Sequence, residues 1–155
     1  MSIEVSVPGG TDLRLESLLL DVNGTLTNRG RLLDGVQPRI DRLRSTLDIH
    51  LLSADTFGTL DDIANHLGGL QVTRISSGQE KADFAEQRGA ARCAAVGNGA
   101  NDHLMLTTVA LGIAVIGPEG ASARTLAAAD VATATIAHAL DLLLEPETLT
   151  ATLRS

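Results

Sequence analysis

The chain has 155 residues, with 12 Lys and Arg against 19 Asp and Glu and a formal net charge of -7. That length suits one domain built on one core, and 44% hydrophobic residues beside 20% charged ones exclude wholesale disorder. An acidic chain with two Phe and no Tyr or Trp lacks both the basic footprint and the stacking platform of a nucleic-acid binder.

The single cysteine, Cys93, excludes an intrachain disulfide. It sits in the apolar run Cys93-Ala94-Ala95-Val96, where a small buried hydrophobe is the expected role. No basic-then-apolar leader opens the sequence, and the most apolar window, Leu104 to Gly117, is too short to cross a bilayer. A soluble, cytoplasmic protein with no membrane partner is expected.

In chain order, Ile3, Val5 and Val7 alternate with polar residues, Pro8-Gly9-Gly10 turns the chain, and residues 12–16 alternate again, which predicts a short N-terminal β-hairpin. Ser17 to Asp21 reads as a buried strand ending in a carboxylate, followed by the turn-forming Asn23-Gly24-Thr25. Val36, Ile40, Leu43 and Leu47 predict an amphipathic helix over 35–47. The group Arg39, Arg42 and Arg44 is expected to form its solvated face. Strands are expected at 49–53, 70–75, 91–96 and 111–116, with a short edge strand at Val131-Ala132. Helices are expected at 58–67, 78–88, 100–109, 118–128 and 136–144, with a helical tail from Pro146. Strands alternating with helices over short connections predict an α/β, doubly wound (Rossmann-like) parallel sheet with helices on both faces.

In such a sheet, ligands bind at the carboxyl edge, where the strand order reverses. The first core strand ends there in Asp21 and the second in Ser53. The fourth runs into Gly97-Asn98-Gly99-Ala100-Asn101-Asp102, and Lys81 opens the helix before it. A nucleophilic carboxylate, a hydroxyl, an ammonium and a second carboxylate form a set for phosphoryl transfer, which depends on in-line positioning and charge neutralisation. Carboxylates facing a phosphate also call for a hard cation, usually Mg²⁺. His50, His66, His103 and His138 share no metal-ligand spacing and are expected to be structural or solvent-facing.

Asp21-Val22-Asn23-Gly24-Thr25, Ser53, Lys81 and Gly97 to Asp102 resemble the four motifs of the haloacid dehalogenase (HAD) superfamily, in order, over residues 17–132. The half from Gly97 to Val131 is similar to the phosphorylation domain of P-type ATPases, so the resemblance points to the soluble P-type-ATPase-like branch. It implies a Mg²⁺-dependent phosphohydrolase in which Asp21 attacks phosphorus. Ser53, Asn98 and the backbone at Asn23 and Gly24 would hold phosphate, with Lys81 neutralising both nucleophile and phosphate. Mg²⁺ would bind Asp21, the Asn23 carbonyl and the side chains of Asn98 and Asp102. The stretches 26–52 and 54–80 each hold only a crossover, so no cap domain fits. The resemblance also implies a phosphorylated substrate, small or large, and a homo-oligomer.

Two departures bear on activity. Asn23 stands where the family's phosphatases carry a general acid/base aspartate, and that catalysis contributes about 10²–10⁴-fold, so turnover should be slow. Asn98 stands where the family supplies a metal-binding aspartate. One missing charge about 4 Å from a cation forfeits about 4 kcal/mol at an effective dielectric near 20, so Mg²⁺ binding should be weak. The alternatives are a degenerate phosphate- or nucleotide-binding or regulatory protein, and a slow phosphocarrier of the P-type kind.

Overall fold

Three consecutive leucines make the strand Ser17–Asp21 apolar on both faces, and Leu18, Leu19 and Leu20 are wholly inaccessible to solvent. Such a strand belongs inside a parallel sheet covered on both sides. The computed structural model, which describes residues 1–155, places it there.

The elements in chain order are β1 (Ile3–Val5), β2 (Leu13–Leu15), β3 (Ser17–Asp21), β4 (Thr27–Asn28), β5 (Arg31–Leu32), α1 (Val36–Leu43), β6 (Asp48–Ser53), α2 (Leu60–His66), β7 (Gln71–Arg74) and α3 (Gly78–Gln87). They continue with β8 (Cys93–Gly97), α4 (His103–Thr108), β9 (Leu111–Val115), α5 (Ala123–Ala128), β10 (Val131–Thr133), α6 (Ile136–Leu144) and α7 (Pro146–Leu153). Six strands form one parallel sheet in the order β10-β9-β8-β3-β6-β7. The chain builds outward from β3 on one side, then returns and builds outward on the other, so the switch point lies at β3.

Alternation along β3 divides the core. Leu18 and Leu20 join the larger apolar cluster with Val36, Ile40, Ile63 and Leu140, from α1, α2 and α6. Leu19 joins the smaller one with Ala85, Met105 and Leu106, from α3 and α4. The register pairs Asp21 with Leu52 and Leu20 with Val96, which brings Asp21, Ser53 and Gly97 to the same edge.

β1 and β2 form the expected hairpin. A second hairpin, β4–β5, was not expected; it turns at Arg29 and Gly30, both at positive φ (52° and 80°). Helix α5 begins at Ala123 rather than Pro118, because Gly117 and Gly120 adopt left-handed φ (59° and 75°) and hold 117–120 as a turn. The arginines of α1 are not merely a solvated face. The Arg39 guanidinium donates to both carboxylate oxygens of Asp141 on α6, at 2.7 and 3.1 Å, and Arg44 donates to the carbonyls of Leu67 and Gly68. No helix is long and apolar enough to cross a membrane.

Candidate active site

Asp21 is only 6% exposed at the tip of β3. Lys81 reaches it from the first turn of α3, whose N-cap, Ser77, accepts the Glu80 amide at 3.2 Å. That cap sets the helix start so that position 81 faces inward, and the lysine is 1% exposed. Its Nζ donates to Asp21 Oδ1 and to Asp102 Oδ1, each at 2.7 Å.

Asp102 is completely buried in the turn after β8. Its second oxygen accepts the amides of Asn98 and Gly99, both at 3.0 Å. The turn closes this tightly because position 97 has no side chain: a Cβ there would lie 2.5 Å from the Asp102 carboxyl carbon. On the other side of Asp21, the Thr25 hydroxyl lies 2.9 Å from Asp21 Oδ2 and 3.2 Å from Asn98 Oδ1. The two oxygens therefore converge on one donor.

Two buried carboxylates share one buried ammonium, so the group carries an excess negative charge. Burial, followed by the Asp102 charge, raises Asp21 from its ordinary 3.8 to about 6, against the opposing pull of Lys81 and Thr25. Burial alone would lower Lys81, but the charges of Asp21 and Asp102 outweigh it and raise its pKa.

Ser53 Oγ accepts the Asp55 amide at 2.9 Å, which leaves its own O–H to donate into the crevice. The amides of Asn23 and Ala54 donate to nothing within the chain. Together with Lys81 they give an anion a set of convergent donors. The crevice encloses about 230 Å³, and Thr56, Asn101 and Glu119 line it as well. A larger groove of about 460 Å³, lined by Leu33, Gly117, Pro118 and Ile136 among others, carries none of these side chains.

The structure thus brings Asp21, Asn23, Ser53, Lys81, Asn98 and Asp102 to one rim, and three of the groups expected to bind metal or phosphate are engaged within the chain. Asp102 is wholly buried and does not line the crevice; its oxygens accept from Lys81 and from the amides of Asn98 and Gly99, so here it positions those groups. The Gly24 amide donates to the Thr27 carbonyl at 3.0 Å and is not available to phosphate. Asn98 Nδ2 donates to the Gly120 carbonyl at 3.0 Å, away from the anion donors. Among the oxygens facing the crevice that could take a cation are those of Asp21, the Asn23 carbonyl, which accepts no hydrogen bond, and Asn98 Oδ1. No three His, Cys, Asp or Glu side chains converge as a metal cluster. The donors are all hard oxygens beside excess negative charge, which fits Mg²⁺ rather than a thiolate- or imidazole-loving metal.

No family model matches the chain. Among solved structures, a cobalt-bound deoxy-D-mannose-octulosonate 8-phosphate phosphatase from Haemophilus influenzae superposes with a TM-score of 0.71 at 17% identity, covering 88% of this chain and 91% of that one. A 3-deoxy-D-manno-octulosonate 8-phosphate phosphatase from Moraxella catarrhalis, in complex with magnesium, phosphate and KDO, gives 0.66 at 18% identity over 88% and 90%. A zinc-transporting PIB-type ATPase in its E2.Pi state gives 0.64 at 26% identity, over 78% of this chain and 20% of that one. The fold is therefore that of the HAD hydrolases, and part of the P-type ATPase chain superposes on it as well.

Two curated relatives come from Methanocaldococcus jannaschii. Uncharacterized protein MJ0073 is 50% identical over 60 residues, which are 39% of this chain and span 64% of that relative. Uncharacterized protein MJ0072 is 44% identical over 39 residues, 25% of this chain and 89% of the relative, and the chain belongs to the same family as that short protein.

Proposed function

We propose that this chain is a metal-assisted phosphohydrolase that works through an aspartyl phosphate on Asp21. The observation that carries the reading is the convergence of the Asp21–Lys81–Asp102 group with the Ser53 hydroxyl and the open amides of Asn23 and Ala54 at one edge of the sheet. The phosphoryl oxygens take those donors. Asp21 attacks phosphorus, the bond to the leaving oxygen breaks, and an acyl phosphate forms; water then attacks that phosphorus and returns the carboxylate and free phosphate. Lys81 keeps Asp21 oriented, and Asp102 keeps Lys81 in place. Asp21, the Asn23 carbonyl and Asn98 would hold Mg²⁺, whose charge neutralises the phosphoryl oxygens when bound. Asn23 can take no proton from the attacking water, so the second step is the slow one.

The test is phosphate release from p-nitrophenyl phosphate or acetyl phosphate with Mg²⁺, in the wild type and in Asp21→Asn. Release that disappears in the variant is the expected result; equal release from both, or none from either, overturns the reading. The missing proton acceptor favours one second reading, a phosphocarrier in which the acyl phosphate accumulates. Intact mass would then rise by about 80 Da, on Asp21. The uncapped crevice suits a large substrate or a second copy of the chain placed over it, and light scattering decides between a monomer and an oligomer.

A further inference from the structure

We infer that Glu119 supplies the negative charge that position 98 withholds, as part of the set that binds the divalent cation. This inference rests on the metal-assisted reading above. Glu119 sits in the turn after β9, between Gly117 and Gly120, both in left-handed backbone. The turn folds its carboxylate over the loop that follows the nucleophile. A Cβ at Gly24 would lie 1.8 Å from Glu119 Oε2 and 2.7 Å from Asn98 Nδ2, so the carboxylate and the Asn98 amide crowd the same spot. Gly24 leaves the space that this approach needs.

The turn is also tied to residue 98. Asn98 Nδ2 donates to the Gly120 carbonyl at 3.0 Å, and the Ser122 amide donates to the Asn98 carbonyl at 2.8 Å. An aspartate at 98 would aim a carboxylate oxygen at the Gly120 carbonyl and place it beside Glu119, and like charges at that range repel. Asparagine at 98 and glutamate at 119 are therefore compatible choices, with the charge moved from one side of the spot to the other. Asn98 Oδ1 faces Thr25 and Asp21 while its nitrogen faces the turn, so the single amide joins the nucleophile to the turn that carries Glu119. Asp21 and Lys81 pair with each other, whereas Glu119 makes no hydrogen bond or ion pair and is the one ionisable side chain lining the crevice with no partner in the chain.

The experiment uses Mn²⁺ as the probe, with free ion counted by paramagnetic resonance, so no turnover is needed. Wild type, Glu119→Gln, Asn98→Asp, the double variant and Asp21→Asn are compared, each checked for folding by circular dichroism. Glu119→Gln should weaken Mn²⁺ binding by about tenfold or more. The double variant, with the charge returned to 98, should recover binding to within about threefold of wild type. A merely structural role for Glu119 would not produce that recovery. Unchanged binding in Glu119→Gln, or no recovery in the double variant, overturns the inference. Wild type that binds no Mn²⁺, or Asp21→Asn that binds as well as wild type, overturns the metal-assisted reading itself.

Discussion

Asp21→Asn should make the metal-free protein more stable, and the gain should depend on pH. Asp21 titrates at about 6 in the folded chain against an ordinary 3.8. The folded state therefore holds its proton more tightly than the unfolded state does. The stability this represents is present at pH below the unfolded value and is lost as pH rises through the folded one. At 1.36 kcal/mol per pH unit, the ionised carboxylate costs about 3 kcal/mol near neutrality. Asparagine has the shape of the protonated acid and no charge, so it escapes that cost and leaves Lys81 and Asp102 as a neutral pair. The variant should match wild type near about pH 4 and exceed it by up to about 3 kcal/mol at about pH 7.5. For a chain of this length that corresponds to a rise in Tm of roughly 6–12 °C. The assay is urea unfolding followed by circular dichroism in chelator, since the chain has no Trp or Tyr for fluorescence. A variant no more stable than wild type at neutral pH, or a gap that does not close on acidification, refutes the account of Asp21 as a strained, charge-rich position.

Three further outcomes follow from the same site. Asn23→Asp restores a proton acceptor beside the nucleophile and should speed steady-state hydrolysis by about 10²–10⁴-fold; an unchanged rate in a phosphate-release assay would mean that deacylation is not limiting. Lys81→Met leaves Asp21 and Asp102 buried without their cation and should cost about 3–5 kcal/mol in denaturant unfolding, and wild-type stability would show that the pair is hydrated in solution. Ser53→Ala removes one donor to a charged phosphate, a loss of about 1.5–3 kcal/mol, so kcat/KM should drop by roughly 10–150-fold; a change of less than about twofold would place the phosphate elsewhere.

Much of the fold was legible because the signals were strong. The Leu18–Leu20 run ending in Asp21 gives a strand over 17–21, and α6 falls on 136–144 as its 3.6-residue periodicity requires. The β4–β5 hairpin was not, because two-residue strands carry no periodicity and its turn depends on a left-handed Arg29. At the candidate site, the residues at the ends of predicted strands do share one edge, since topology alone sends them there. Glu119 was missed for a specific reason. Pro118 looks like the first residue of a helix, which assigns 118–128 to one continuous element and leaves the glutamate on its solvated face. The readable counter-signal was the pair Gly117 and Gly120 around it, after a strand that ends at the same edge. The partners of Asp102 could not be read at all, because they depend on which amides the 97–102 turn aims inward.

The central place of β3 has a consequence for synthesis. Both of its neighbours, β6 and β8, follow it in the chain, and the second ends at Gly97. On the ribosome, the leucine-rich strand emerges before either neighbour and stays unpaired along one side until β8 has appeared, which is the exposure that invites association between nascent chains. The crevice at Asp21 is assembled from the same distant pairings, so a truncated translation product should expose a sticky edge and lack that crevice. Slow, non-local folding is what this topology entails, and chaperone demand during translation should fall once residue 97 clears the exit tunnel.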